Sequence, residues 1–374
     1  MLDGKTGPLQ GIKVLEMPAI GPVPFCGMLL SDLGADILRL DRAEAADLGV
    51  QIEPRFDVLG RGKRSLIIDL KAAASRELVL RILRKADVVI EGFRPGTMEK
   101  LGLGPEEAFA VNPRLVYGRM TGWGQLGPLA KSAGHDINYL ALTGALHAIG
   151  PGDGAPVPPL NLVADFGGGA LYLAMGVLSA LYEREKSGLG QVIDAAMVDG
   201  AASLMALSYG LLASEQWKDC RESNLLDGGA PWYRAYRCAD GKYVALGALE
   251  VKFFRELMSV LGIDPTPYPN HLDPECWPAL REVISEKLLT RTRDQWCAAV
   301  GNRDCCLAPV LSMTEAPHYA HTTARSGFVR VNDVIQPAVA PRFSRTVGAI
   351  SRPPPGNGHG GEEALRDWQV EKAE

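Results

Sequence analysis

The sequence lacks most of the features that classify a protein at first sight. It has no run of about 20 uncharged apolar residues, so no membrane-spanning helix is expected. The opening MLDGKTGPLQ has no apolar leader core, and the closing Val370-Glu371-Lys372-Ala373-Glu374 is not a peroxisomal Ser-Lys-Leu signal. Cytoplasmic residence is therefore the expectation. Cysteine is sparse, with seven residues, at 26, 220, 238, 276, 297, 305 and 306, and no Cys-x-x-Cys pair. An odd, unpatterned set predicts free, mostly buried thiols in a reducing compartment. The six histidines show no His-x-x-x-His or His-Glu-x-x-His spacing, so no metal site is expected. Excess positive charge is missing too. The 39 Lys and Arg against 44 Asp and Glu leave a net charge of −5. No global field draws nucleic acid or an anionic membrane, and an anionic ligand must be held by a local cluster of cations.

What is present is the composition of a globular protein, with 47% hydrophobic and 22% charged residues over 374 positions. That length suggests two domains. The first 120 residues alternate between strand and helix signals. Strands are expected at 12–17, 36–41, 65–69, 87–91 and 115–120, with helices at 24–33 and 72–85. Short apolar runs separated by helices predict a parallel sheet covered on both faces. Residues 121–168, rich in Gly and Pro, predict loops and helix ends. An apolar helix is expected at 171–184, and 190–207 reads as continuing into more helix. A second module begins near Asp227. There, 233–238 and 243–247 flank Asp240-Gly241, a hairpin signal. Helices follow around 251–261 and 277–289. Residues 330–356 read as a proline-bearing connecting arm, and 362–370 as a short terminal helix.

Four constellations stand out. Gly21-Pro22-Val23-Pro24 lies between the first strand and helix. Its glycines do not have the Gly-x-Gly-x-x-Gly spacing, which disfavours dinucleotide binding. Cations gather near strand ends: Arg42 after the second strand, Arg61-Gly62-Lys63-Arg64 before the third, and Arg94 and Lys100 after the fourth. Open parallel sheets bind ligands at carboxyl edges, and an Arg fork suits phosphate. Gly134-His135-Asp136-Ile137-Asn138-Tyr139 packs a base, a carboxylate and an amide into the start of a helix, whose free N–H groups suit a developing oxyanion. Asn161 to Gly169 places Asp165 just ahead of three glycines, as a helix N-cap or as a functional carboxylate in a close-fitting site.

Further phrases connect these: 29–36 (LLSDLGAD), 63–71 (KRSLIIDLK), 93–96 (FRPG), Pro158-Pro159-Leu160, 165–169 (DFGGG), 190–194 (GQVID), Ala308-Pro309-Val310 and Pro341-Arg342-Phe343-Ser344. In order and spacing the sequence resembles the family III coenzyme A transferases, and within them the α-methylacyl-CoA racemases, nearly end to end. The resemblance implies an α/β fold with a Rossmann-like parallel-sheet large domain and a smaller α+β domain. It also implies an interlocked homodimer, with the active site between one subunit's large domain and the other's small domain. On this chain the expected divisions are 1–195 for the large domain, 196–226 for a linking helical region, 227–325 for the small domain, and 326–374 for the arm returning to the large domain.

The resemblance also implies roles. His135 and Asp165 are the two catalytic bases, Glu250 assists His135, and Asp136 belongs to the same site. In the transferase branch, Asp165 is instead a nucleophile. Contacts to coenzyme A fall on Arg42, on Ile68, Asp69, Leu70 and Lys71, on Gly92, Phe93 and Arg94, on Lys100, and on Gly134, Ile137, Asn138 and Tyr139. Lys100 stands where the family pattern has Arg. The expected substrate is a 2-methyl-branched acyl-CoA, with no separate cofactor, since coenzyme A is part of the substrate. Abstraction of the α-proton needs a base in contact and stabilisation of the enolate oxygen, and inversion needs an acid on the opposite face.

Overall fold

The computed structural model describes residues 6–43 and 52–371. The terminal residues 1–5 and 372–374, read above for targeting signals, lie outside the described residues. Two compact units are formed. The first contains residues 1–143, 159–205 and 323–374, and the second contains 144–158 and 206–322.

The first unit is built on six parallel strands: β1 (Lys13–Glu16), β2 (Asp36–Asp41), β3 (Arg64–Ile67), β4 (Val88–Glu91), β5 (Val116–Thr121) and β6 (Val192–Ala196). Their order is β3-β2-β1-β4-β5-β6. This is the Rossmann order, and the crevice between β1 and β4 is its topological switch point. Val14, Leu15, Ile37, Leu38, Val88, Val89 and Ile90 are wholly buried, as strands covered on both faces require. The helices are α1 (Pro22–Asp32), α2 (Ala73–Lys85), α3 (Thr97–Lys100), α4 (Pro105–Val111), α5 (Asp136–Ala141), α6 (Leu171–Ser187) and α7 (Met197–Leu204).

Three features differ from the sequence expectation. Residues 192–196 form the edge strand β6 rather than more helix. Leu162–Ala170 is a π-helical segment running directly into α6. The joined stretch 162–187 therefore has 26 residues, and its most apolar 18-residue window has a mean hydropathy of 1.5, long and apolar enough by length and composition to cross a membrane. The sequence reading broke this run at Asp165 and the glycines. One face packs on the sheet, where Gly118 of β5 gives Leu173 room to approach. The thiols are free, but only Cys26, Cys238 and Cys305 are buried.

Part of the arm after the second unit is also more ordered than expected. Phe328–Val331 and Val334–Pro337 pair antiparallel. Further on, the Ser65 N–H donates to the His359 carbonyl at 2.8 Å, so the chain runs parallel to β3 before the terminal helix Gly361–Asp367.

The second unit carries β7 (Tyr233–Arg237), β8 (Tyr243–Gly247) and β9 (Leu307–Pro309), all antiparallel in the order β7-β8-β9. The expected hairpin is present, with Gly241 at φ +75° in its turn. Helices α8 (Val251–Leu261), α9 (Trp277–Leu288) and α10 (Arg293–Val300) follow. Trp232, Trp296, Phe254, Leu257 and Leu280 form its core.

Candidate active site

A cavity of about 330 Å³ opens at the carboxyl edge of the large sheet. Its walls are the β1–α1 turn (Ile20 to Val23), the loop after β4 (Gly92 to Pro95), the end of β5 with Gly122 and Trp123, and His135, Tyr139, Asp165 and Met197. This is the switch-point crevice, where open parallel sheets hold ligands.

The turn ahead of α1 works without a dinucleotide fingerprint. Gly21 caps the helix at φ +63°, and Pro22 follows as its first residue. A Cβ on Gly21 would sit 3.2 Å from the Asp165 Oδ2, a tight contact that adds to the preference of this left-handed turn for glycine. Beneath it, the buried Lys63 donates to both oxygens of buried Glu16, at 2.8 and 2.7 Å, and to the Pro24 carbonyl at 2.9 Å.

Asp165 is not an N-cap. It lies inside the π-helical segment, half-buried, with its carboxylate accepting from Asn161 Nδ2 at 3.2 Å. Its position is fixed from below by Asp136. The buried Oδ2 of Asp136 accepts the backbone N–H groups of Ala164, at 2.9 Å, and of Asp165 itself, at 2.8 Å. Burial pushes the Asp165 carboxyl above its usual range. Asn161 pulls it back, the Asp136 charge raises it, and the nearby His135 lowers it. The three glycines that follow have a separate cause. A Cβ on Gly200 of α7 would lie 1.8 Å from the Gly168 carbonyl oxygen, so the two helices cross backbone to backbone.

His135 caps α5 and is exposed to the cavity. Its backbone N–H donates to Asn138 Oδ1 at 3.1 Å. Tyr139 is buried, and its hydroxyl donates to the Gly134 carbonyl. Its ring packs edge-on against Trp123, with centroids 4.8 Å apart. Gly122 and Gly134 are the residues that let this ring in, since a Cβ on either would overlap it.

The structure thus brings Gly92, Phe93, Arg94, Gly134, His135, Tyr139 and Asp165 to one cavity. Asp136 lies behind that wall, with Ile137 and Asn138 on the exposed side of α5. Arg42, Asp69, Lys71 and Lys100 are exposed, Ile68 is buried and Leu70 half-buried, on the segments after β2 and β3 and at the end of α3. Glu250 is exposed at the start of α8 in the second unit.

The basic cluster ahead of β3 is not a ligand site. Arg61 pairs with Asp32 at 2.5 Å, Lys63 with Glu16, and Arg64 with Asp36 at 2.5 Å and with Asp367. All three cations are buried and spent on carboxylates of the same unit. The sequence reading missed Asn161, Trp123 and Met197. Only the four-residue spacing from Asn161 to Asp165 gave a usable signal for any of them.

The sequence pattern of CoA-transferase family III matches residues 9–360. The α-methylacyl-CoA racemase of Mus musculus is 41% identical over 98% of this chain and 94% of its own length. That of Homo sapiens is 40% identical over the same shares. The crystal structure of a CAIB/BAIF family protein from Brucella suis superposes with a TM-score of 0.84 at 27% identity, covering 97% of this chain and 100% of that one. Pattern, length and fold agree, and the chain is an acyl-CoA enzyme that belongs to CoA-transferase family III.

Proposed function

We propose that this protein interconverts (2R)- and (2S)-2-methylacyl-CoA thioesters. The observation that carries the reading is that His135 and Asp165, two side chains able to carry a proton, line one cavity. Similarity to the racemases supports it.

In one direction the neutral His135 imidazole takes the α-proton, and the C–H electron pair moves into the thioester as an enolate. A backbone N–H at the start of α5 stabilises the enolate oxygen. Protonated Asp165 then delivers its proton to the opposite face. The site ends with a charged imidazole and a carboxylate, and it resets by proton exchange with solvent or by running in reverse. Burial of Asp165 fits this role, because it keeps a larger share of the carboxyl protonated than an exposed aspartate would have.

Arg42, Arg94 and Lys100 hold the phosphates of coenzyme A. As the resemblance implies, the working unit is a dimer in which Glu250 of one chain orients His135 of the other. An exposed apolar stripe on α6 supports assembly: Leu171, Met175, Leu178 and Tyr182, spaced to share one helix face.

A single epimer of a 2-methylacyl-CoA, incubated with the protein in deuterated water, tests the activity. Inversion with deuterium incorporation and no acceptor acid is expected. It should be lost in both His135→Ala and Asp165→Ala. Turnover that requires an acceptor acid and survives His135→Ala would establish the transferase instead.

A further inference from the structure

The residues that hold the coenzyme A loop in place were absent from the sequence reading. Arg119 lies on β5, directly beside Glu91 of β4 in the parallel register. It is 7% exposed. Its Nε donates to Glu91 Oε1 at 3.0 Å. Its two terminal nitrogens reach Glu99, at 2.8 Å to Oε1 and 3.3 Å to Oε2. One guanidinium therefore bridges two carboxylates from different elements, using the forked geometry that lysine lacks.

Those carboxylates bracket the segment that carries the exposed cations. Glu91 ends β4, and its other oxygen accepts the Phe93 N–H at 2.7 Å, fixing the residue before Arg94. The Arg94 carbonyl accepts the Thr97 N–H at 3.0 Å, which closes the turn into α3. Glu99 sits on α3 immediately before Lys100. Arg94 itself has no carboxylate partner among the described residues and faces the cavity. Burial pushes Glu91 up to about 7 even with Arg119 beside it. Replacing a buried ion network with apolar side chains is often neutral or stabilising, so its value here lies in geometry.

We propose that Arg119 is the positioning residue of a phosphate clamp, holding the Arg94 loop and the Lys100 helix at the spacing that receives the phosphates of coenzyme A. The inference rests on the acyl-CoA reading above and goes beyond it. Arg119 touches no ligand and acts only through Glu91 and Glu99.

Calorimetric titration of the intact protein with coenzyme A tests the clamp without relying on turnover. Arg119→Lys and Glu99→Ala are the variants. Glu99 is 44% exposed, so its removal leaves the core intact. Loss of a charge-assisted bond corresponds to about tenfold weaker binding. Both variants should bind coenzyme A about tenfold more weakly. With an acyl-CoA substrate they should raise KM and leave kcat near wild type. An acyl-pantetheine, which has no phosphates, should show no such change in KM. A stability defect alone would not separate these two substrates. Wild-type affinity for coenzyme A in both variants overturns the clamp. Absence of coenzyme A binding in the wild type overturns the acyl-CoA reading itself, and the clamp with it.

Discussion

Asp165 shows how neighbours set the chemistry of one residue. Burial raises its carboxyl, and the Asn161 amide favours the charged form. Removing that hydrogen bond must raise the carboxyl further. For Asn161→Ala, the acid limb of kcat/KM in the direction where Asp165 is the base should move to higher pH. A limb at the wild-type position would show that Asn161 does not bear on Asp165 in solution. The cations teach a second lesson. Lys63 and Arg94 look alike in the sequence, each a basic residue within two positions of a glycine and near a strand. One is buried against Glu16 and the other is exposed in the cavity. Lys63→Ala should cost about 3–5 kcal/mol of stability, read from the denaturant midpoint, because it strands a buried carboxylate. Arg94→Ala should leave the midpoint unchanged, raise KM and make binding less sensitive to salt. Only long-range packing distinguishes these two, which is why the residues after β4 were legible as ligand candidates and those before β3 were misread.

At the scale of elements, periodicity revealed most of the large sheet. β1 to β5 are short apolar runs bounded by helices, and the sequence shows them within a residue or two. β6 escaped because it is an edge strand with a mixed pattern. Val192 is 41% exposed, and the run leads straight into helix α7. The π-helical turn escaped because its glycines read as a boundary, while the structure uses Gly168 to let α7 approach. Asp165 rides on that segment, so the crossing ties packing to chemistry. Gly200→Ala places a Cβ 1.8 Å from the Gly168 oxygen and must part the two backbones. A loss of about 3 kcal/mol is expected, with lower kcat as Asp165 shifts. Gly210→Ala, in the helix Ala206–Ala213 of the second unit, is the control, because a Cβ there meets nothing within 4 Å. It should be neutral or stabilise by up to about 1 kcal/mol, as alanine favours a helix. Equal destabilisation by both would show that the close crossing is not the cause.

At the scale of the molecule, the 162–187 stretch raises a question of partners. Its outer stripe of Leu171, Met175, Leu178 and Tyr182 is between 38% and 68% exposed in the single chain. So large an apolar face needs a cover, and its length and hydropathy alone would suit a bilayer. Its polar burden argues for protein instead. Asp165 and the cavity occupy the first turns of the same stretch, and a carboxylate that must exchange protons with substrate is poorly placed in hydrocarbon. We propose a second copy of the chain as the cover for this stripe. If the chains interlock, folding and association are one event, and stability must depend on protomer concentration. The urea midpoint should therefore rise with protein concentration, and dilution should give unfolded chains rather than folded monomers. Met175→Glu, which sets a charge in the middle of the stripe, should lower that midpoint at fixed concentration and reduce the share of dimer by light scattering. A folded, active monomer at nanomolar concentration would refute interlocking. The stripe would then need a partner other than a second copy, and Glu250 could not act on the His135 of another chain.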